Sequence, residues 1–283
     1  MSADRPVLLD EIGYWSEIKL DIIKDYATEY SKILTSSARS GLPFKHVYID
    51  GFAGAGRHIS RTTREFVPGS PLNALLVDPP FFQYHFVDMN EGRVAALEEI
   101  AAERSNVTVH HGDCNEILLR DVFPRILYKD YRRGLCLLDP YGLHLDWEVI
   151  KTAGQMESIE IFLNFPIMDM NMNVLKKDPN CTRRQGDVER MNAFWGDESW
   201  RDVAYPTTLN LFGEPEKASN EMVVDGFRTR LKKVAGFAYV PPPIPMRNTT
   251  GSTVYYLFFA SHKPVSGKIV EYIFKKYALR GAR

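Results

Sequence analysis

A turn rich in glycine follows a short apolar run near the start of the chain. The segment from His46 to Asp50 has the composition of a buried strand, and Gly51, Gly54 and Gly56 follow it within six residues. Glycine lets the backbone approach a ligand closely, because a side chain there would collide with it. The pattern predicts a cofactor-binding turn. A tight strand-to-helix connection without a ligand is an equally open interpretation.

Acidic residues end the next two predicted strands. Asp88 closes the apolar run that begins at Tyr84, and Asp113 follows the run from Val107 to His111. The first carboxylate can accept both hydroxyls of a ribose, and the second can accept a hydrogen bond from an adenine amino group. Parallel strands end at one edge of a sheet, so these acids and the glycine turn predict a shared crevice. A helix-capping or loop role is the alternative for each acid.

The fourth predicted strand ends in a candidate reactive centre, formed by Asp139, Pro140 and Tyr141. One reaction that such a centre could support is methyl transfer from a sulfonium. This reaction needs the in-line approach of a lone pair, so alignment and electrostatics can supply most of the catalysis. Asp139 and the Pro140 carbonyl could accept hydrogen bonds from an amino nucleophile, while Tyr141 stacks on a planar substrate. An Asp-Pro turn without catalytic role is the alternative. Asn164, after the fifth strand, could line the same pocket or mark a simple strand exit.

The spacing between the glycines and the first acid discriminates between cofactors. Dinucleotide-binding folds separate them by about 20 residues, whereas residues 57–69 lengthen the interval here. Ser70 and Pro71 predict a helix start well after the last glycine, so no helix N-terminus directly caps a pyrophosphate. This favours S-adenosylmethionine (SAM) over a nicotinamide dinucleotide. The predicted cofactor-binding residues are Asp50, Gly51, Phe52, Ala53, Gly54, Gly56, Asp88, Asp113 and Cys114.

The elements that must position these residues alternate between strand and helix. A helix with apolar residues at helical spacing follows Ser16, and apolar runs typical of buried parallel strands then alternate with helices. The last two strands are predicted at residues 237–240 and 254–260, joined by a proline-rich link, before a final helix. The pattern predicts an α/β protein with a doubly wound, mostly parallel seven-stranded sheet of Rossmann-like methyltransferase type, an N-terminal helix and an inserted cap.

Residues 167–218 interrupt the alternation. We therefore predict an N-terminal helical segment over residues 1–45, a SAM-binding domain formed by residues 46–166 and 219–283, and an insertion over residues 167–218 that binds substrate or a partner. The insertion mixes cations with rings, which suits a nucleic-acid face, and a solvated cap with its own small core is the alternative. These residues are Lys176, Lys177, Arg183, Arg184, Phe194, Trp195 and Trp200.

Two further features near the glycine turn have open interpretations. Arg57, His58, Arg61 and Arg64 form a basic cluster that could contact the phosphates of a nucleic acid or face water. Trp15 and Lys19 could fold back over the mouth of the cofactor crevice, or they could be ordinary helix residues.

Composition sets the outer bounds. The 283 residues are 45% hydrophobic and 25% charged, as in an ordinary globular protein. A net charge of -1 gives no global attraction to nucleic acid, so such binding would need a local basic face. Three cysteines without a CxxC pair predict reduced thiols, a cytoplasmic location and no metal site. The most apolar run, from Val254 to Ala260, is too short to span a bilayer, so no membrane role is predicted.

Taken in order, these segments resemble the three-Cys-motif partner proteins, a bacterial group within the Rossmann-like methyltransferase superfamily. The resemblance implies a class I SAM-dependent methyltransferase and a separate partner protein that carries the cysteine motif, so the cysteines of this chain are not that motif. The matching segments are residues 15–20, 48–57, 69–72, 86–88, 112–113 and 138–142.

The segment from Asp50 to Gly56 is also similar to the SAM loop of amino-methylating nucleic-acid enzymes. The segment from Asp139 to Tyr141 is similar to their (Asp/Asn)-Pro-Pro-aromatic motif, but the second proline is absent and Gly142 follows the ring. The sequence thus predicts a SAM-dependent methyltransferase that acts on an amino or similar nucleophile of a nucleic acid or nucleotide. The alternatives are a methyltransferase for small molecules or proteins, and a non-catalytic SAM-binding module that acts with a partner protein.

Overall fold

The computed structural model describes residues 10–178, 181–206, 217–248 and 250–278. Parts of each predicted segment lie outside the described residues: residues 1–9 of the N-terminal segment, 179–180 and 207–216 of the insertion, and 249 and 279–283 of the SAM-binding domain.

Short strands and helices alternate along most of the chain. The strands are β1 (Asp10–Ile12), β2 (Lys45–Asp50), β3 (Arg57–Ser60), β4 (Phe66–Pro68), β5 (Gln83–Asp88), β6 (Val107–His111), β7 (Arg132–Leu138), β8 (Ile159–Phe165), β9 (Ile244–Arg247) and β10 (Thr253–Ala260). The helices are α1 (Tyr14–Arg39), α2 (Ser70–Leu75), α3 (Glu91–Ala101), α4 (Cys114–Ile117), α5 (Trp147–Met156), α6 (Ile167–Asn173), α7 (Gln185–Trp195), α8 (Trp200–Ala204), α9 (Asn220–Lys233) and α10 (Pro264–Ala278).

Within the described residues, seven strands form the main sheet in the order β6-β5-β2-β7-β8-β10-β9. The first five strands in this order are mutually parallel, whereas β10 runs antiparallel to both β8 and β9. This confirms the predicted α/β architecture with a mostly parallel seven-stranded sheet. The chain builds outward from β2 first toward β6 and then toward β8, so the strand order reverses between β2 and β7. A ligand crevice is expected outside the carboxyl ends of the strands at that point.

Helices cover both faces of the sheet. Every residue of β8 is buried, as expected for a strand with helices on each side. On one face Tyr26 of α1 packs against Phe162 and Phe259, with ring centroids 5.3 and 4.7 Å away. On the other face Phe227 of α9 packs against Phe165, at 4.7 Å. This two-sided burial fixes the strand ends that carry the candidate site.

The prediction of a strand at residues 237–240 is wrong. Those residues contribute an isolated bridge between Tyr239 and Ser261, while β9 lies in the proline-rich link that follows. Pro245 of that link lies opposite Tyr256 in the ladder. Because β9 is the edge strand, it can hold a proline whose missing N–H would face away from the sheet.

The aromatic rings of the predicted insertion belong to the main core. Phe194, Trp195 and Trp200 are at most 1% exposed. The ring of Phe227 on α9 lies 5.6 Å from Phe194 and 5.2 Å from Trp195. These three rings are therefore not available to stack on a base at the surface, and they do not form a separate small core of the insertion either.

The extended segment after the glycine turn is a small sheet. Strands β3 and β4 form a hairpin, and β1 adds to β3 in parallel. The ion pair of Arg64 with Glu11, at 2.6 Å, ties the hairpin to β1. A hydrogen bond from the Gly69 N–H to the Gly56 carbonyl, at 2.8 Å, closes the base of the excursion. The sequence offers little sign of this sheet, because its strands are only three or four residues long.

The described residues contain neither a disulfide nor a metal-type cluster. Cys114 and Cys136 are buried free thiols, and Cys181 is an exposed one. No three His, Cys, Asp or Glu side chains in this part of the chain are grouped to hold a metal ion. None of the described helices is both long and apolar enough to cross a membrane.

Candidate cofactor and acceptor site

A crevice of 540 Å³ opens at the carboxyl ends of the parallel strands, beside the point where the strand order reverses. Its floor is the glycine turn after β2, and β1 and the first turns of α1 close it from above. The structure brings together these predicted site residues: Gly51, Phe52, Ala53, Gly54, Asp88, Asp113, Cys114, Asp139, Pro140 and Tyr141. The predicted residues Asp50 and Gly56 do not line the crevice.

The three glycines of the turn have different roles. Gly54 has a φ of +63°, and the space where its Cβ would lie is open. A Cβ at Gly51 would lie 2.7 Å from Cys114 Sγ, and one at Gly56 would lie 2.8 Å from Ile100 Cδ1. Gly51 and Gly56 are thus needed for packing beneath the turn, whereas Gly54 presents bare backbone to the crevice.

Asp88 holds the glycine turn in place. Its Oδ2 accepts a hydrogen bond from the Gly54 N–H at 2.9 Å, and its Oδ1 accepts one from the Asn90 N–H at 2.8 Å. The side chain is buried, and it lines the crevice. A carboxylate has about four acceptor positions, so Asp88 can still accept hydrogen bonds from ligand hydroxyls while it fixes the turn.

Asp113 caps a helix and also faces the crevice. Its Oδ1 accepts hydrogen bonds from the N–H groups of Asn115 at 2.8 Å and Glu116 at 3.2 Å, which is the capping role left open by the sequence. These bonds leave Oδ2 available to a ligand. Cys114 packs behind Gly51, and burial raises the pKa of its thiol, so it stays protonated and acts as a packing residue.

Asp50 is a buried carboxyl group directly behind the turn. Its Oδ1 accepts a hydrogen bond from the Phe52 N–H at 3.2 Å, whereas Oδ2 has no hydrogen-bond partner at good geometry among the described residues. Burial raises the pKa of Asp50 to about 7, against the opposing effects of Ser70 and the Phe52 N–H. A carboxyl group with an unused oxygen and a pKa near neutrality is sensitive to a charge placed beside it.

The start of α2 lies at the crevice although it comes late in the sequence. The β3–β4 excursion returns the chain to the glycine turn, so that Ser70 lines the crevice wall. The predicted separation of this helix from the glycines therefore holds along the chain but not in space. A phosphate would still meet an unfavourable neighbour at this point, because the buried Asp50 lies beside Ser70.

The described lining of the crevice is richer in carboxylates than in cations. Its carboxylates are Asp10, Asp88, Asp113 and Asp139, and its Lys and Arg residues are Lys19 and Arg93. Arg93 is also committed to protein partners, with Nη2 at 2.8 Å from Asp10 and Nη1 at 3.9 Å from Asp88. This surplus of negative charge suits a cationic or neutral ligand better than a pyrophosphate.

Lys19 reaches into the crevice from α1 and pairs with Asp139. Its Nζ donates a hydrogen bond to Asp139 Oδ2 and lies 5.2 Å from the centre of the Tyr255 ring. Burial alone would lower the pKa of Lys19, but the charge of Asp139, with help from Tyr255, outweighs burial and raises it. The sequence left open whether Lys19 folds over the crevice mouth or is an ordinary helix residue. In the structure, it lies over the crevice mouth.

Two polar groups flank this ion pair. Asn164, at the end of β8, is 8% exposed and lines the crevice, and its Oδ1 has no hydrogen-bond partner among the described residues. Tyr141 is 90% exposed and stands at the rim, whereas Pro140 is buried. The segment after β7 therefore offers an inner carboxylate and an outer ring, and Asn164 supplies a free acceptor beside them.

Sequence reasoning missed several residues of the crevice wall. Asp10 and Ile12 come from the short β1. His58 comes from β3, and the sequence placed it only in the basic cluster after the glycine turn. Burial lowers the pKa of His58, which keeps its imidazole neutral. Arg93 follows the helix-capping Asn90 by three residues, and only its charge near a predicted strand end could have suggested a role.

No family model matches this chain, and no curated protein matches it. Among solved structures, it is similar to a protein from Legionella pneumophila str. Philadelphia 1, with 12% identity, 91% of this chain and 92% of that chain covered, and a TM-score of 0.47. A putative methyltransferase from Thermobifida fusca has 12% identity, coverage of 88% and 80%, and a TM-score of 0.43. An O-methyltransferase from neocarzinostatin biosynthesis, in complex with SAM, has 12% identity, coverage of 88% and 61%, and a TM-score of 0.35. Likeness at this level assigns no activity to the chain.

Proposed function

We propose that this protein is a SAM-dependent methyltransferase. The observation that carries the proposal is the acidic crevice around a glycine turn held by Asp88. A sulfonium cofactor is cationic at sulfur and at its amino group and has no phosphate, so a carboxylate-rich lining favours it over a nicotinamide dinucleotide.

The residues of the crevice fit such a cofactor. Bare backbone at Gly54 admits a ligand against the turn, and Asp88 and Asp113 keep acceptor capacity for ribose hydroxyls and an adenine amino group. The carboxyl group of Asp50, whose Oδ2 has no hydrogen-bond partner among the described residues, adds negative charge behind the turn when it is ionised. When bound, SAM supplies the methyl group, whose bond to sulfur breaks with the electron pair left on sulfur.

The ion pair and its neighbours orient the acceptor. With Lys19 on Oδ2, Asp139 has Oδ1 left to accept a hydrogen bond from an acceptor N–H, and Asn164 Oδ1 can accept another. Tyr141 stacks on a planar acceptor at the rim. The lone pair of the acceptor nitrogen would form the new bond to the methyl carbon as the sulfur–carbon bond breaks, and the nitrogen would release a proton to water. The acceptor that we propose is an amino or similar nucleophile of a nucleic acid or nucleotide.

Calorimetry with SAM and with S-adenosylhomocysteine tests the cofactor. We expect binding by the natural protein and at least tenfold weaker binding after Asp88→Ala, because the turn loses its anchor. Glu29→Ala, which removes an exposed carboxylate far from the crevice, is the matched control. If neither compound binds, or if Asp88→Ala binds both like the natural protein, the proposal fails.

A second candidate function is a non-catalytic SAM-binding module that acts with a partner protein. The pairing of Lys19 with Asp139 favours it, because part of the presumed reactive carboxylate is already engaged. Tritium transfer from SAM to RNA, DNA or protein, lost after Asp139→Ala while SAM binding persists, would decide for the enzyme. The cysteine-motif partner protein itself stays a prediction.

A further inference from the structure

A second groove, of 720 Å³, opens beside the crevice and shares Ser16 with it. Three parts of the chain meet here: the start of α1, the turn between β3 and β4, and the hairpin between β9 and β10. The described lining of the groove includes Tyr14, Trp15, Ser16, Arg61, Arg247 and Tyr255. Apart from Ser16, none of them lines the cofactor crevice.

Strand register places this groove on the acceptor side of the sheet. Because β10 is antiparallel to β8, with Leu257 opposite Asn164, the start of β10 lies at the edge where β8 ends. Tyr255 therefore stands near Asn164, whereas the cofactor residues follow β2, β5 and β6. Asp139 follows β7, which lies between these two groups of strands. The sheet edge is thus divided into a cofactor half and a second half that leads into the groove.

The lining of the groove combines rings with cations. Tyr14 and Trp15 meet edge to face with centroids 5.8 Å apart, and Trp15 is half-buried. Arg61 and Arg247 are exposed, and among the described residues the closest carboxylate oxygen to Arg61 is Glu11 Oε2, at 4.0 Å. Flat rings that can stack on a base, together with guanidinium groups that can bind phosphate, are the combination that recognises nucleotides.

Tyr255 connects the groove to the reactive centre. Its hydroxyl is buried and has no hydrogen-bond partner at good geometry among the described residues, and its ring lies under the ammonium of Lys19. A buried hydroxyl without a well-aligned hydrogen-bond partner carries a free-energy cost. A polar group of a bound acceptor would recover that cost, at the point where the groove meets the crevice.

We propose that this groove admits the methyl acceptor, and that the acceptor is a phosphorylated nucleoside, either free or within a single strand. Its base stacks on the ring of Trp15, its phosphate lies between Arg61 and Arg247, and its reacting group passes Tyr255 to reach Asp139. This inference rests on the proposed methyltransferase function, since it names the acceptor of that same site.

The test compares Arg61→Ala/Arg247→Ala with Lys232→Ala/Lys233→Ala, which removes the same charge from exposed positions at the end of α9. The probes are a labelled single-stranded oligonucleotide of mixed sequence and a mixture of nucleoside monophosphates, each with S-adenosylhomocysteine present. We expect the groove variant to bind one of the probes at least tenfold more weakly than the natural protein, with a smaller salt dependence. The control variant should match the natural protein.

A finer pair of variants tests the passage itself. Tyr255→Phe removes the buried hydroxyl and should raise the KM for the acceptor several-fold, while Tyr256→Phe on the neighbouring position should not. In the probe experiment, tighter binding of either the oligonucleotide or the nucleoside monophosphates by the natural protein identifies the source of the nucleotide. Equal probe binding by both double variants, or SAM binding without binding of either probe, would overturn the groove proposal. Absence of SAM binding would instead overturn the proposed function.

Discussion

Lys19 of α1 donates a hydrogen bond from its ammonium group to Asp139 Oδ2 at the end of β7, across 120 positions of sequence. Only 10% of the Lys19 side chain and 27% of the Asp139 side chain are exposed. Helix α1 is therefore part of the reactive centre that we propose, because Lys19 occupies one oxygen of the Asp139 carboxylate.

We predict that Lys19→Met lowers both stability and methyl transfer. It leaves Asp139 partly buried without its counter-charge, which costs on the order of 2–4 kcal/mol. Thermal unfolding and the transfer rate measure the two effects, and SAM binding should persist. Lys32→Met, in an exposed ion pair with Glu29, is the control and should change neither. A Lys19→Met protein that is as stable as the natural one would show that the pair is not a structural link.

Gly54→Ala should weaken SAM binding more than it weakens the fold. Its φ of +63° costs an L-residue about 1–2 kcal/mol, and the added methyl group would enter the open space in which we propose that the cofactor binds. Gly41→Ala has the matching strain, with a φ of +98° and open space, but lies far from the crevice. Calorimetry and chemical unfolding together should show similar destabilisation in both variants and an affinity loss of about tenfold or more in Gly54→Ala alone. Equal SAM affinities would contradict the assigned role of Gly54.

The affinity for SAM should rise with pH around neutrality. Burial raises the pKa of Asp50 to about 7, so below this pH the group is neutral, and above it the carboxylate attracts a cationic ligand. We expect a gain of about tenfold, or about 1.4 kcal/mol, across this range. Calorimetry from pH 6 to pH 8 measures it, and Asp50→Asn should remove the Asp50-dependent part.

In the absence of ligand, we predict that the contribution of Asp50 to stability falls as the pH rises, opposite to the trend expected for SAM affinity. An unfolded Asp has a pKa of about 3.9, so the folded state holds the extra proton between about pH 4 and 7. The stability that this group contributes is fully present below pH 4 and is lost as the pH rises through 7. Unfolding in urea at several pH values should show this slope in the natural protein and a flatter one in Asp50→Asn. Identical slopes would mean that Asp50 titrates normally.

Arg93→Ala should speed the release of the cofactor. The ion pair of Arg93 with Asp10, at 2.8 Å, ties β1 over the crevice, and an exposed pair of this kind contributes about 0.2–1 kcal/mol. Stopped-flow displacement should show a rate about 1.4- to fivefold faster, as about 0.2–1 kcal/mol implies. Salt should narrow the difference between the variant and the natural protein. A release rate unchanged by Arg93→Ala would exclude β1 as a cover.

The strand ends are predictable from the sequence because their signals are local. Most strands of the parallel part are short apolar runs, and an acidic residue ends the strand or follows it within two positions, so the sequence alone places Asp88, Asp113 and Asp139 at one edge of the sheet. The fold class follows from the same alternation. Glycine spacing locates the turn, although it does not separate Gly54, which faces the crevice, from Gly56, which packs against Ile100.

The remaining features depend on contacts between distant parts of the chain. The sequence offers Lys19 two roles, and only the folding of α1 onto the sheet edge selects its partner. Tyr255 lies in an apolar run typical of a buried strand, so nothing local marks its unpartnered hydroxyl. The penultimate strand is mispredicted because of the prolines around Pro245. Proline argues against a central strand, and only the completed sheet shows that β9 lies at the edge.

The backbone hydrogen bond between Gly69 and Gly56 forms a fixed junction at the crevice floor, and we call this junction the seam. A Cβ at Gly69 would lie 2.8 Å from the Gly56 carbonyl carbon, so the two glycines touch backbone to backbone. The intervening residues, 57–68, leave and return at a single point, and lengthening a loop that is already closed costs little entropy. Covers of different length or charge could therefore be grafted between these two glycines without displacing the floor beneath them, which makes this seam the natural place to re-engineer what the crevice admits.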